Sequence, residues 1–287
     1  IPMETHYYTE YKLFNFFRYY NMNKKKYQKA ISQIDNRWRH FNLSEEYEEI
    51  FKNLAQKLNP SWDSIFLAYL TAFKIQEKKN IVGEKTPGHI RRIYYLKKQY
   101  PKAKFIHIIR DPRAVVNSYL NKPDYNKAYG NNVFRASLKW RRAIKLHFKI
   151  IDDINKSRYL KIYYEEFIKN PEKVLNKIFN FLELEEDLKI WEKYFNDENN
   201  KYKNNRSHKR IGEEIDKSRM KDWKKNLDNR KIKITEKIAS RKNMKKLGYE
   251  PKFNSSKSES YYVGKSLLGF SSKMAKFILY LIKKIGL

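Results

Sequence analysis

An apolar run that stops at an arginine, followed at once by a helix start, constrains this chain more than any other feature: FIHIIRDPRAVVNSYL, residues 105–120. The run at 104–109 predicts a short, buried parallel strand. Asp111 is a favourable N-cap, and Pro112 suits the first helical position. We therefore expect Arg110 at the carboxyl end of a strand and beside a helix N-terminus, where open α/β sheets bind ligands and anions are favoured.

A serine further along the predicted helix extends this interpretation. Ser118 follows Asp111 by about two helical turns and so falls on roughly the same helix face. A guanidinium and a hydroxyl that converge at a helix start predict a phosphate site. The alternative is an ordinary strand-to-helix turn in which Arg110 pairs with a local carboxylate, and so short a motif leaves both open.

Helix and strand patterns alternate along most of the chain. The apolar spacing predicts helices at 5–20, 44–58, 61–76, 89–100, 134–154 and 171–182, and strands at 80–84, 104–109 and 159–164. This order predicts an α/β protein with a parallel sheet flanked by helices. Because the carboxyl ends of parallel strands share one edge, we expect Lys85, Arg110 and Tyr164 along the same rim.

Composition limits the classes of function. The 287 residues carry a formal net charge of +31 and no cysteine, which excludes disulfides and thiolate metal sites; no metal is predicted. The basic residues are mostly lysines spread along the chain, and this indicates a positive surface that attracts phosphorylated ligands in general. A competing hypothesis is a non-catalytic or degenerate basic module that binds nucleic acid or anionic lipid. His107, inside a predicted strand, is expected to be a hydrogen-bonded core histidine.

Three stretches, taken in order, resemble a known family. EKTPGHIRRIYYLKKQYPKAKFIHIIRDPRAVVNSYL, YLKIYYEEFIKNPEKVLNKIFNFLEL and MKKLGYE are similar to successive segments of sulfotransferases that use 3'-phosphoadenosine-5'-phosphosulfate (PAPS). The resemblance covers roughly residues 1–250 and is nearest to a bacterial branch that resembles protein-tyrosine sulfotransferases. It implies a P-loop-NTPase-like sulfotransferase fold and transfer of a sulfuryl group from PAPS to an acceptor hydroxyl or amine.

The same resemblance implies roles for individual residues. Arg110 and Ser118 match the pair that holds the 3'-phosphate of PAPS, and Tyr164 matches a tyrosine near the adenine. Lys85 matches the lysine beside the transferring sulfuryl group, where it would stabilise charge on the bridging oxygen. IPMETHYY resembles a segment whose glutamate is the general base, and this glutamate maps to Glu4.

Other positions complete or qualify the resemblance. Ser218 lies in a polar, lysine-rich region, 196–230, similar to loops that close over the cofactor in this family, and is a further candidate cofactor contact. The cytosolic small-molecule enzymes use a histidine two residues after the lysine. Pro87 stands at that position here, which argues against a histidine mechanism and leaves His89 as a weak substitute.

The family's PxSGTT-type loop, which binds the 5'-phosphosulfate, should precede IPMETHYY and is missing from the sequence. We therefore expect an N-terminally truncated fragment that lacks the first strand, loop and helix of the fold. A degenerate, inactive copy is the alternative.

Composition changes again after Pro251. Residues 1–250 are predicted to form the sulfotransferase domain, 251–262 a linker and 263–287 a basic amphipathic helix. That helix would dock on the domain or lie on an anionic membrane surface. The expected partners are PAPS and an unidentified acceptor, with no specific nucleic acid. The expected location is cytoplasmic, with membrane association if the helix binds lipid.

Overall fold

The computed structural model describes residues 7–8, 23–38, 44–121, 132–185 and 216–253. The chain divides into two compact units, residues 1–101 and 102–287. Glu4 and the helix predicted at 263–287 lie outside the described residues. In the part of the chain that is described, no helix is long and apolar enough to cross a membrane.

Helices build the first unit. They are α1 (Lys24–Trp38), α2 (Glu45–Lys57), α3 (Trp62–Gln76), a 3₁₀ turn (Pro87–Arg92) and α4 (Ile93–Gln99). Ser44 caps α2 and Ser61 caps α3, each accepting a hydrogen bond from the backbone N–H three residues on. Both helix starts were readable from the sequence, and the structure confirms them.

The strand predicted at 80–84 is wrong. Residues 81–86 are irregular, and Ile81 is exposed. An apolar run this short does not by itself determine a strand, because a strand also needs a neighbour to accept and donate its backbone hydrogen bonds. Lys85 therefore follows a loop rather than a strand. Of the three strand ends expected along one rim, the two that precede Arg110 and Tyr164 remain.

The second unit is an α/β arrangement, as predicted. Its elements are β1 (Phe105–Ile109), α5 (Pro112–Leu120), α6 (Val133–Asp153), β2 (Tyr159–Tyr163), α7 (Tyr164–Lys169), α8 (Pro171–Leu182), α9 (Trp223–Asn226), α10 (Asn229–Ala239) and α11 (Arg241–Lys246). β1 and β2 pair in parallel, from Phe105 opposite Tyr159 to Ile109 opposite Tyr163. Helices α5 and α6 supply the long crossover that parallel pairing requires.

Burial in β1 differs from the expectation of a fully buried strand. Ile109 is 1% exposed and packs in a core cluster with Trp140 and Ile144 of α6. Ile106 and Ile108 are 38% and 59% exposed. Among the described residues, β1 has a strand partner along one edge only, so its alternate side chains lack the cover that a wider sheet provides.

Two histidines of the second unit share one tyrosine hydroxyl. His107 Nδ1 lies 2.7 Å and His147 Nδ1 lies 2.9 Å from the Oη of Tyr159. A hydroxyl has one proton, so it donates to one imidazole and accepts from the N–H of the other. His107 is thus the hydrogen-bonded histidine that the sequence predicted.

This arrangement should make the second unit sensitive to acid. Burial, reinforced by the charge of Lys161, lowers the pKa of His147 to about 4, whereas an unfolded histidine titrates near about 6.5. Below that pH the unfolded chain takes up a proton that the folded chain does not, so stability is lost as the pH falls. We expect the free energy of unfolding, measured in urea, to fall by about 2 kcal/mol from this group between pH 7 and pH 5.

The variant His147→Gln carries no titratable group at this position and tests the assignment. Between pH 7 and pH 5 its free energy of unfolding should fall by about 2 kcal/mol less than that of the wild-type chain. Equal pH dependence in the wild-type chain and the variant would show that His147 does not carry this effect.

Candidate functional site

The backbone around Arg110 is fixed on both sides. Arg110 follows β1 directly, and its carbonyl accepts a hydrogen bond from Trp140 Nε1 at 2.9 Å. Asp111 caps α5 through a 2.8 Å bond from the N–H of Arg113, with Pro112 at the first helical position. The predicted strand end, N-cap and helix start are therefore all present.

The side chain of Arg110 has few partners. Its guanidinium lies over the ring of Tyr164, with Cζ 4.1 Å from the ring centroid. Nη2 donates to the carbonyl of Arg219 at 3.1 Å, while Nε is buried with no hydrogen-bond partner. In the described part of the chain no carboxylate pairs with Arg110. The alternative, a turn in which Arg110 pairs with a local carboxylate, is therefore not observed there.

Tyr164 and Ser218 both belong to this arrangement. Tyr164 is the first residue of α7, immediately after β2, which is the rim position that the sequence predicted. Ser218 lies in a 3₁₀ turn (Lys217–Met220). The residue after Ser218, Arg219, accepts the hydrogen bond from Arg110 Nη2 through its carbonyl. The Ser218 hydroxyl is exposed and donates to Asp216 Oδ1 at 2.6 Å, so a ligand contact would compete with that bond.

Ser118 lies in the last turn of α5, whose N-terminus follows Arg110. The residue is half-buried, and its hydroxyl makes no hydrogen bond to any described residue. The hydroxyl therefore keeps both its donor and its acceptor capacity. Its role as a phosphate contact stays a prediction.

The second arginine of the RDPR turn has a different environment. Arg113 donates to Asp111 Oδ2 at 2.7 Å and to Glu236 Oε1 at 2.9 Å, and its guanidinium lies over the ring of Trp223. Burial alone would lower the pKa of Arg113, but the hydrogen bonds and charges of Asp111 and Glu236 raise it. We conclude that Arg113 supports the turn from within the core.

Sequence reasoning missed the support behind Asp111. The backbone N–H of Asp111 donates to Glu165 Oε1 at 3.0 Å, and the hydroxyl of Tyr249 donates to Glu165 Oε2 at 2.8 Å. Burial, followed by the charge of Glu165, raises the pKa of Tyr249, which keeps its hydroxyl protonated as a donor. Glu165 and Glu166 are adjacent and identical in the sequence, so the sequence does not indicate that Glu165 would accept these hydrogen bonds.

The loop that carries Lys85 belongs to the first unit. Lys85 is exposed, between Glu84, whose side chain is 5% exposed, and Thr86, which is buried. Thr86 Oγ1 donates to Glu84 Oε1 at 2.6 Å, and His89 Nδ1 lies 2.7 Å from Glu84 Oε2. The chain around Lys85 is thus closed into a compact turn.

Tyr8, four residues after Glu4 in the sequence, contacts this loop. The ring of Tyr8 lies edge-on to His89, with centroids 5.8 Å apart, and its carbonyl accepts from Arg92 Nε at 3.2 Å. Its hydroxyl bonds Asp63 and Tyr100 at 2.5 and 2.6 Å. The structure therefore brings residues that follow both predicted catalytic positions into contact within the first unit.

Comparison with known proteins identifies the class. A profile described as "Sulfotransferase family" matches residues 3–187. Protein-tyrosine sulfotransferase A of Caenorhabditis elegans is 33% identical over 107 residues, 37% of this chain and 28% of that protein. Protein-tyrosine sulfotransferase 2 of Gallus gallus is 29% identical over 127 residues, 42% of this chain and 34% of that protein. The chain belongs to the sulfotransferase family.

Two more distant similarities are to another curated sulfotransferase and to a solved sulfotransferase domain. An omega-hydroxy-beta-dihydromenaquinone-9 sulfotransferase of Mycobacterium bovis is 26% identical over 156 residues, 50% of this chain and 39% of that protein. The sulfotransferase domain from the curacin biosynthetic pathway aligns with a TM-score of 0.49 and 16% identity, covering 81% of this chain and 82% of that domain. The chain thus spans well under half the length of the curated relatives named here.

Proposed function

We propose that this chain carries the catalytic and 3'-phosphate-binding residues of a sulfotransferase that moves a sulfuryl group from PAPS to an acceptor hydroxyl or amine. The observation that carries the proposal is the environment of Arg110. A guanidinium whose Nε is buried without a hydrogen-bond partner among the described residues stands directly before a capped helix N-terminus, and a bound anion is one way to satisfy such a group. A phosphate oxygen supplies the missing acceptor, because guanidinium groups bind phosphate with charge-assisted hydrogen bonds.

The residues divide the work as follows. Arg110 and Ser118 hold the 3'-phosphate, and Tyr164, which already stacks with Arg110, lies beside the adenine. Ser218 is a further cofactor contact. PAPS supplies a sulfuryl group whose bond to the 5'-phosphate oxygen is weak enough to break during attack.

Two residues act on the reacting atoms. Glu4 takes the proton from the acceptor oxygen or nitrogen as that atom bonds to sulfur. Lys85 stabilises the negative charge that collects on the former bridging oxygen as its bond to sulfur breaks. The electron pair of that bond stays on this oxygen, and 3',5'-phosphoadenosine (PAP) is the leaving group. No residue in this scheme requires a metal. The relatives' names cover both tyrosine and a lipid-like hydroxyl as acceptor, so the class of acceptor here is left as a hydroxyl or amine.

Binding of PAP to the full chain tests the cofactor assignment. In isothermal titration calorimetry we expect the variant Arg110→Ala to bind PAP about 10- to 100-fold more weakly, because charge-assisted hydrogen bonds contribute about 1.5–3 kcal/mol. Arg230→Ala removes the same charge at an exposed position of α10 and should leave the affinity nearly unchanged.

The competing hypothesis, a basic module that binds polyanions, makes the opposite prediction. Such a module would bind PAP equally well in both variants, and it would bind DNA of any sequence with an affinity that falls steeply as salt is added. That combination would contradict the proposed function.

A further inference from the structure

The loop at 84–89 is held together by one buried carboxylate. Glu84 Oε1 accepts from the hydroxyl of Thr86, and Glu84 Oε2 lies 2.7 Å from Nδ1 of His89. The backbone N–H of His89 also donates to the carbonyl of Thr86 at 2.9 Å. These contacts join residues on both sides of Lys85, so they restrict the backbone from which the lysine projects.

The carboxylate and the imidazole of this loop are largely removed from water. The side chains of Glu84 and His89 are 5% and 16% exposed, and a carboxylate removed from water in this way is retained only with hydrogen-bonding or charged partners. Thr86 and His89 both lie within five residues of Glu84, so these two contacts act on the shape of the loop itself. Lys85, the next residue after Glu84, is exposed.

The second nitrogen of His89 does not face solvent. Nε2 is buried and makes no hydrogen bond in the described part of the chain, with the ring of Tyr8 edge-on nearby. A proton acceptor has to come within hydrogen-bond reach of the acceptor hydroxyl, and a shielded nitrogen meets that condition poorly. The geometry favours a role for His89 through Nδ1, the atom beside Glu84.

We propose that Glu84 and His89 are positioning residues, which hold Lys85 at the point where charge develops on the leaving oxygen. This inference rests on the proposed function, because it concerns the placement of its catalytic lysine. Displacing a catalytic group by about 1 Å can cost about 100-fold in rate. Neither Glu84 nor His89 exchanges a proton with the substrate in this scheme.

The test uses a reaction that needs no knowledge of the natural acceptor. The full chain is given PAP and p-nitrophenyl sulfate; the ester bond between oxygen and sulfur breaks, sulfur bonds to the 5'-phosphate oxygen of PAP, and p-nitrophenolate leaves with the electron pair. Its yellow colour gives kcat and the KM for PAP. Lys85 stabilises the same transition state in this direction as in the forward one.

A double-mutant cycle then separates positioning from independent effects. We expect Glu84→Ala to lower kcat about 10- to 100-fold with little change in the KM for PAP. Added to Lys85→Ala, the same substitution should have almost no further effect, because the group it positions is gone. If the loss of kcat in the double variant instead equals the product of the losses in the two single variants, the inference is wrong.

Variants of His89 distinguish positioning from proton transfer. Asparagine places an N–H close to the position of Nδ1, so His89→Asn should recover most of the kcat that His89→Ala loses. If both variants are equally impaired, the imidazole itself is required and the positioning role is wrong. Thermal melting of each variant shows whether a loss of rate comes from unfolding. A wild-type chain without any exchange would contradict the proposed function, and the inference with it.

Discussion

Replacing Lys85 by alanine should slow the PAP-dependent release of p-nitrophenolate by about 100- to 1,000-fold. The reason is electrostatic, since the lysine is proposed to stabilise negative charge that is larger in the transition state than in the bound cofactor. An interaction of that kind lowers kcat when it is lost and changes binding much less. Steady-state kinetics of the full chain measure both quantities.

Lys57→Ala provides the matched control for Lys85. Lys57 is exposed at the end of α2 in the same unit, so its removal changes the net charge by the same amount. Its kcat should equal that of the wild-type chain. If Lys85→Ala instead raises the KM for PAP and leaves kcat unchanged, the lysine binds the cofactor without taking part in the transfer.

Replacing Glu236 by alanine should lower the free energy of unfolding by about 3–5 kcal/mol, the usual result of removing one partner of a buried ion pair. Glu236 is fully buried. It accepts from Arg113 Nη1 at 2.9 Å and from the backbone N–H groups of Lys252 and Phe253 at 2.7 and 3.2 Å. Alanine would leave all three donors without this acceptor.

Urea denaturation followed by tryptophan fluorescence measures the loss at Glu236. Glu236→Gln should lose less, because its amide oxygen still accepts from Arg113, while its NH₂ group meets a backbone donor. Glu185→Ala, at an exposed position of the same unit, should change stability by a few tenths of a kcal/mol at most, roughly the effect of ordinary surface substitutions. A Glu236→Ala chain as stable as the wild type would show that the buried ion pair contributes nothing net.

Local features of the sequence predicted the RDPR turn well. A strand of apolar residues, an Asp-Pro cap and a following helix depend on neighbours in the sequence, and the structure contains all three. The different roles of Arg110 and Arg113 could not be predicted in the same way. Arg113 is buried against Glu236, 123 residues further along the chain, and no local pattern reports a contact at that separation.

The first unit shows the same division between local and distant causes. The helices at 44–58 and 61–76 were predicted because apolar spacing is a pattern among neighbouring residues, and each helix begins after a serine cap. The strand expected at 80–84 failed because its existence depends on a partner elsewhere. His89 was recognised only as a weak substitute base, since the sequence could not show that Glu84 would occupy its Nδ1.

The tyrosine contacts of Asp63 set a limit on where Glu4 can act. The hydroxyl of Tyr8 is hydrogen-bonded to Asp63 and Tyr100, and its carbonyl accepts a hydrogen bond from Arg92. Four residues of chain span about 14 Å at most between Cα atoms, so the Cα of Glu4, the proposed general base, lies no further than that from the Cα of Tyr8. The proposed function therefore places the acceptor hydroxyl or amine within reach of a glutamate side chain attached inside that radius of Tyr8.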